Sequence, residues 1–164
     1  MTRTPEPLPP FTDNPTPDAA RAWAVLDLID QHRDALAMSA WIARRTDDEE
    51  MLDDADGPVD LATLTSECGT VACHAGWTVA GAGYTMITVN GVVVAKELAE
   101  QLFGDALAER SRFDLERLAS VSAVAQRLLG LDANAAADLF LYTSEDDLAA
   151  RTVELFGPRR EVTA

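Results

Sequence analysis

The sequence predicts a mainly α protein: a single helical domain with one small β-hairpin, preceded by a disordered proline-rich arm. Three observations carry this. Apolar residues recur at three- and four-residue steps along much of the chain, the pattern of helices with one buried face. Asn90-Gly91 stands between two β-rich runs and is the preferred pair for a two-residue type I′ turn. Six of the eight prolines fall within residues 1–17, where fixed φ and missing N–H donors favour extended or disordered chain.

The elements follow in order. Pro7-Leu8-Pro9-Pro10 in the arm has the spacing of a PxxP ligand, although a plain tail is the favoured reading. A helix begins at Asp18, with Ala22, Val25, Ile29, His32 and Leu36 on one stripe; the pattern allows it to run on through Trp41 and Ile42. Residues 46–60, TDDEEMLDDADGPVD, are too densely acidic to organise and predict a surface loop. A calcium loop there fails: with Gly57 at the sixth position, Leu52 and Thr63 occupy the first and twelfth, and neither is a carboxylate. Gly69 or Thr70 starts a helix that ends near Ala80, before Gly81 and Gly83. Strands near 84–89 and 92–95 form the hairpin, which needs helices to pack on. Leu98, Leu102 and Phe103 mark a short helix stopped by Gly104, and Leu115 to Leu129 a longer one stopped by Gly130. Asp132 caps a helix over 133–142 with Ala136, Leu139 and Phe140 inward. Ser144 and Asp147 begin the last helix, which ends at Gly157-Pro158; the domain spans 18–157 and residues 158–164 are a tail.

The net charge of −15, from 28 acidic and 13 basic residues, lacks the basic footprint that direct nucleic-acid binding needs. It also disfavours anionic membrane surfaces. No apolar run approaches the roughly 20 residues of a membrane span, and the first residues have no apolar stretch of a secretory signal. Two cysteines are too few for a disulfide framework. Together these features predict a cytoplasmic protein with reduced thiols.

The stretch ECGTVACHAGWTVA, residues 67–80, holds both cysteines and one of the two histidines. Close helix packing is the favoured reading: Gly76 lets a neighbour approach, Trp77 anchors the core, and free cysteine packs as a small hydrophobe. A structural zinc site is the second, with Cys68, Cys73, His74 and His32 as a Cys2His2 set. Its C-x4-C-H spacing is weak evidence, because adjacent helical residues point about 100° apart. A catalytic thiol is the third. Cys68 just before a helix N-terminus has its pKa lowered by the dipole, but only His32 and His74 are on hand as bases. A Cys68–Cys73 disulfide, redox-sensing in a reducing compartment, is the fourth.

The box CGTVACHAGW, with MSAW upstream (38–41) and LLGLDANAAADLF downstream (128–140), resembles a group of small uncharacterised proteins from actinobacteria and their phages. These share a CGTxACxAGW box and a later leucine-glycine-leucine helix start. The resemblance covers about residues 20–156 and implies no activity. It implies a motif core of Cys68, Gly69, Thr70, Cys73, Ala75, Gly76 and Trp77. His74 falls at a variable, often apolar position of the box, which weighs against an essential ligand or base.

The chain contains no P-loop, Rossmann glycine pattern, HExxH or GxSxG. The leading expectation is a small acidic, non-enzymatic interaction protein, phage-encoded, that binds a host or phage protein with a basic face. Two alternatives stand beside it. One is a zinc or reactive-thiol protein centred on Cys68 and Cys73. The other is an acidic nucleic-acid mimic, which the clustering of acids in a predicted loop disfavours.

Overall fold

The computed structural model describes residues 4–45, 51–52, 57–66 and 69–160. The elements are α1 (Ala19–Gln31), β1 (Ile42–Arg45), β2 (Met51–Leu52), α2 (Leu61–Thr65), β3 (Thr70–Ala72), α3 (His74–Gly81), β4 (Met86–Val89), β5 (Val92–Ala95), α4 (Lys96–Phe103), α5 (Arg112–Leu118), α6 (Val121–Leu129), α7 (Ala133–Leu141) and α8 (Leu148–Phe156). Short 3-10 turns follow α1 and α4, over Arg33–Ala35 and Gly104–Glu109.

Helix α3 runs through the middle. Every residue from His74 to Ala80 is buried, and α1, α6 and α7 pack around it. A helix that is apolar all round has no solvent face to offer, so its neighbours must enclose it. Its main cluster joins Ile29, Leu36, Trp77, Leu128, Leu139 and Leu148, among others. The hairpin covers a smaller cluster of Val92, Val94, Ala99, Leu115 and Ala119.

The hairpin forms as its turn chemistry requires. Val89 faces Val92, and Asn90 and Gly91 both take positive φ, 50° and 78°, the type I′ pattern. Asp132 caps α7 through the Ala135 N–H at 2.8 Å, and Gly130 ends α6 in the left-handed region.

Several expectations are corrected. The first helix does not continue to Ile42. It ends at Gln31, and His32 leaves helical geometry at φ −135°, ψ 45°. The apolar residues beyond it are buried by sheet instead: Ile42 pairs with Ala72 across β1–β3, and Leu36 bridges Ala72. The helix predicted from Leu115 to Leu129 is two helices, α5 and α6. Ser120 interrupts it by accepting from the Ala123 N–H, and the Ala119 carbonyl turns to accept from Ala95 of the hairpin. A capping serine joined to a cross-element bond outweighs an unbroken apolar stripe.

Ser144 does not cap the last helix: its hydroxyl donates to the Asp147 carboxylate, and α8 starts only at Leu148. Within the acidic segment 46–60, residues 46–50 and 53–56 lie outside the described residues. Met51–Leu52 pairs with β1 as β2, and Asp60 caps the unforeseen helix α2 through a reciprocal capping box with Thr63.

The arm is extended and without regular secondary structure from Thr4 to Pro17, but it is tied down where proline content alone predicts disorder. Glu6 N–H donates to Ala82 O at 2.8 Å, and Arg127 Nε donates to Pro9 O at 2.7 Å. Leu8 packs against the main core. Among the described residues no helix is long and apolar enough to cross a membrane.

Gly130 joins the two halves of this arrangement, since a Cβ there would run into the Thr16 carbonyl. Gly130→Ala should therefore lose more than the roughly 1–2 kcal/mol of left-handed strain alone, read by chemical denaturation. The same variant should release the arm to limited proteolysis.

Candidate functional site

Local sequence explains why the box folds as strand then helix. Val71 and Thr70 are β-branched and pair with Ala43 and Arg44, which suits β3. Cys73 is extended at φ −74°, ψ 176° and serves as the N-cap of α3. The helix thus starts at His74, not at Gly69 or Thr70. Cys68 lies outside the described residues.

Gly76 is where helix and sheet meet. A Cβ added there would lie 2.8 Å from both the Ala72 Cβ and the Trp41 carbonyl oxygen. The absent side chain is what lets α3 lie against the β1–β3 sheet. Next to it Trp77 is fully buried. Its indole N–H donates to Ala35 O at 3.1 Å, and its ring stacks on His32, with centroids 5.9 Å apart and planes 12° apart. The indole therefore anchors the turn after α1, with its one donor satisfied.

Among the described residues, the candidates His32, Cys73 and His74 are not brought together around one point. His32 sits at the rim of a cleft of about 700 Å³, lined also by Asp30, Arg33, Thr65, Gly69 and Thr70. Asp30 is engaged there by Arg33 at 2.6 Å. Cys73 instead lines a small cavity of about 120 Å³ with Met38, Trp41, Phe140 and Leu141. His74 is buried and stacks on Phe140 at 6.0 Å. Among the described residues no group of three or more His, Cys, Asp or Glu side chains is placed to hold a metal ion.

The electrostatics of Cys73 and His74 agree with core packing. Burial pushes the Cys73 thiol up to about 11, against the smaller lowering effect of the Gly76 and Ala75 N–H groups. It is a free, neutral thiol at pH 7, so it lacks the thiolate a nucleophile needs. Burial lowers His74 to about 4. Its Nε2 has no hydrogen-bond partner, and Nδ1 lies 3.5 Å from the Thr78 hydroxyl. A buried neutral imidazole with one nitrogen unpartnered by the protein carries a cost of about 1–3 kcal/mol.

Next to the Cys73 cavity the surface is apolar in a way the sequence reading missed. Leu141 is 61% and Tyr142 74% exposed at the end of α7. The signal was present: with Ala136, Leu139 and Phe140 inward, Leu141 and Tyr142 fall toward the solvent side of the helix. Exposed acids flank it at Asp138, Glu145, Asp146 and Asp147. Compared with protein-family models, curated proteins and solved structures, the chain matches none.

Two outcomes follow. Gly→Ala within a helix ordinarily stabilises by about 1 kcal/mol, but Gly76→Ala should destabilise, because both clashing atoms belong to packed backbone or a core methyl; denaturant midpoints check the sign. For His74, the folded pKa lies below the ordinary value near 6.5. The neutral form is favoured by folding, so stability is fully present above pH 6.5 and declines as the pH falls toward 4, by on the order of 3 kcal/mol. His74→Leu should flatten that part of the stability–pH curve relative to the parent and equal or exceed its stability at pH 7.

Proposed function

We propose that this protein is a non-enzymatic interaction protein that docks on a basic partner through the surface around Leu141 and Tyr142. The observation that carries the reading is the adjacent, exposed Leu141–Tyr142 pair bordered by Asp138, Glu145, Asp146 and Asp147. Large aromatic and aliphatic side chains in a polar rim are the anchors by which interfaces gain affinity. The acidic rim speeds encounter with a positively charged surface and selects against acidic ones.

The partner class is a protein with a basic face and an apolar recess for the tyrosine. The net charge of −15 supports the same choice, since it repels nucleic acid and anionic membranes alike. We propose a host or phage protein as that partner. The box itself acts from behind. Cys73, Trp41 and Phe140 line the small cavity that Leu141 also borders.

Affinity capture with quantitative cross-linking tests this. A partner should cross-link to residues 138–147 and should be lost, by at least tenfold in affinity, in Leu141→Asp and Tyr142→Asp chains that keep their fold. Replacing Glu145, Asp146 and Asp147 by lysine should lower the association rate and its salt dependence. Equal capture by parent and variants would overturn the reading.

A further inference from the structure

The proline-rich arm has no role in that interface, yet its seat has the features of a peptide-recognition groove. Glu6 and Leu8 are partly buried while Pro7 and Pro9 are exposed, so alternate residues face in. The Glu6 carboxylate meets Arg21 at 2.6 Å. Leu8 packs on the core. The backbone is read by side chains: Tyr84 donates its hydroxyl to Glu6 O at 2.8 Å, and Arg127 donates from Nε to Pro9 O at 2.7 Å. Arg127 also lies under the Phe11 ring, 4.3 Å from its centroid. Aromatic and cationic donors that bind carbonyls of an extended proline-rich strand are how such segments are recognised, because the strand is preformed and its carbonyls are free.

We propose that Arg21, Tyr84 and Arg127 form a recognition groove for an acid–Pro–Leu–Pro segment, filled in cis by residues 6–9 and in trans by the same arm of a second copy of this chain. The occupant is chosen by fit: the arm's own sequence is the one whose carboxylate, leucine and carbonyls match the groove. The connection permits exchange. Among the described residues, 10–17 make no backbone–backbone hydrogen bond to the body before Asp18 N–H reaches Leu129 O, so their seat rests on the Phe11–Arg127 contact and the packing of Thr16 on Gly130. Extended, they span up to about 27 Å, and Pro10, Pro15 and Pro17 keep them stiff. Exchange of identical segments preserves every contact and needs no new interface. The cis arm competes at an effective concentration in the millimolar range, so the unmodified chain is mainly closed.

Two complementary full-length variants make the test. Leu8→Asp spoils the arm and leaves the groove intact; Arg127→Ala spoils the groove and leaves the arm intact. Sedimentation velocity should show each variant as a monomer alone and a one-to-one heterodimer on mixing. A labelled peptide of residues 4–11 should bind the Leu8→Asp chain in fluorescence anisotropy at least tenfold more tightly than the parent. It should lose binding when Tyr84→Phe is added. Should Leu8→Asp unfold, Leu8→Ala empties the same pocket with a smaller disturbance and the same outcomes apply. No peptide binding by a folded Leu8 variant would overturn the groove. Peptide binding without a heterodimer would overturn exchange between copies and leave the groove to another protein's proline-rich segment.

Discussion

The close approach of helix to sheet at Gly76 is the constraint on which the rest depends. Hydrogen atoms alone separate the α3 backbone from Ala72 and the Trp41 carbonyl there. That contact sets the depth of α3, and depth makes the helix buried on all sides. Once α3 is fully enclosed, α1, α6 and α7 must surround it. Trp77 can then reach the Ala35 carbonyl and end the first helix in a turn. Gly76 lowers the intrinsic stability of α3 as a helix, and its packing compensates.

This arrangement keeps Cys73 and His74 in their neutral forms. Cys73 and His74 occupy the first positions of a buried helix, where N–H groups favour a thiolate and desolvation opposes it. Desolvation is the larger effect, so the thiol stays protonated, and the same environment keeps His74 neutral. His32, the remaining histidine, is used as a stacking plate on Trp77. Two histidines and Cys73 near one helix thus serve shape before chemistry. What the body presents outward instead is an apolar pair in an acidic setting at the end of α7.

Much of the architecture was legible, and its failures share a cause. The hairpin at Asn90-Gly91 and the caps at Asp18, Asp60 and Asp132 rest on chemistry within a few residues of chain, although the Asp60 cap was passed over inside an acidic run. The misjudged boundaries, at His32, Ser120 and Cys73, are places where a distant strand or helix competes for the same backbone groups. Of the site, His32, Gly69 and Thr70 line one cleft and Cys73 a separate small cavity, a separation that local spacing does not encode.

By itself the sequence determined the class of fold, the turn of the hairpin and the net acidic charge, because periodicity, turn preference and charge are properties of short segments. Only the tertiary structure decided that Thr70–Ala72 is a strand, that the arm is seated against Tyr84 and Arg127, and which apolar residues remain outside. Those outcomes depend on which surfaces meet across the chain. A leucine such as Leu141 is identical in composition whether it is covered or not, and only its neighbours in space decide whether it is exposed.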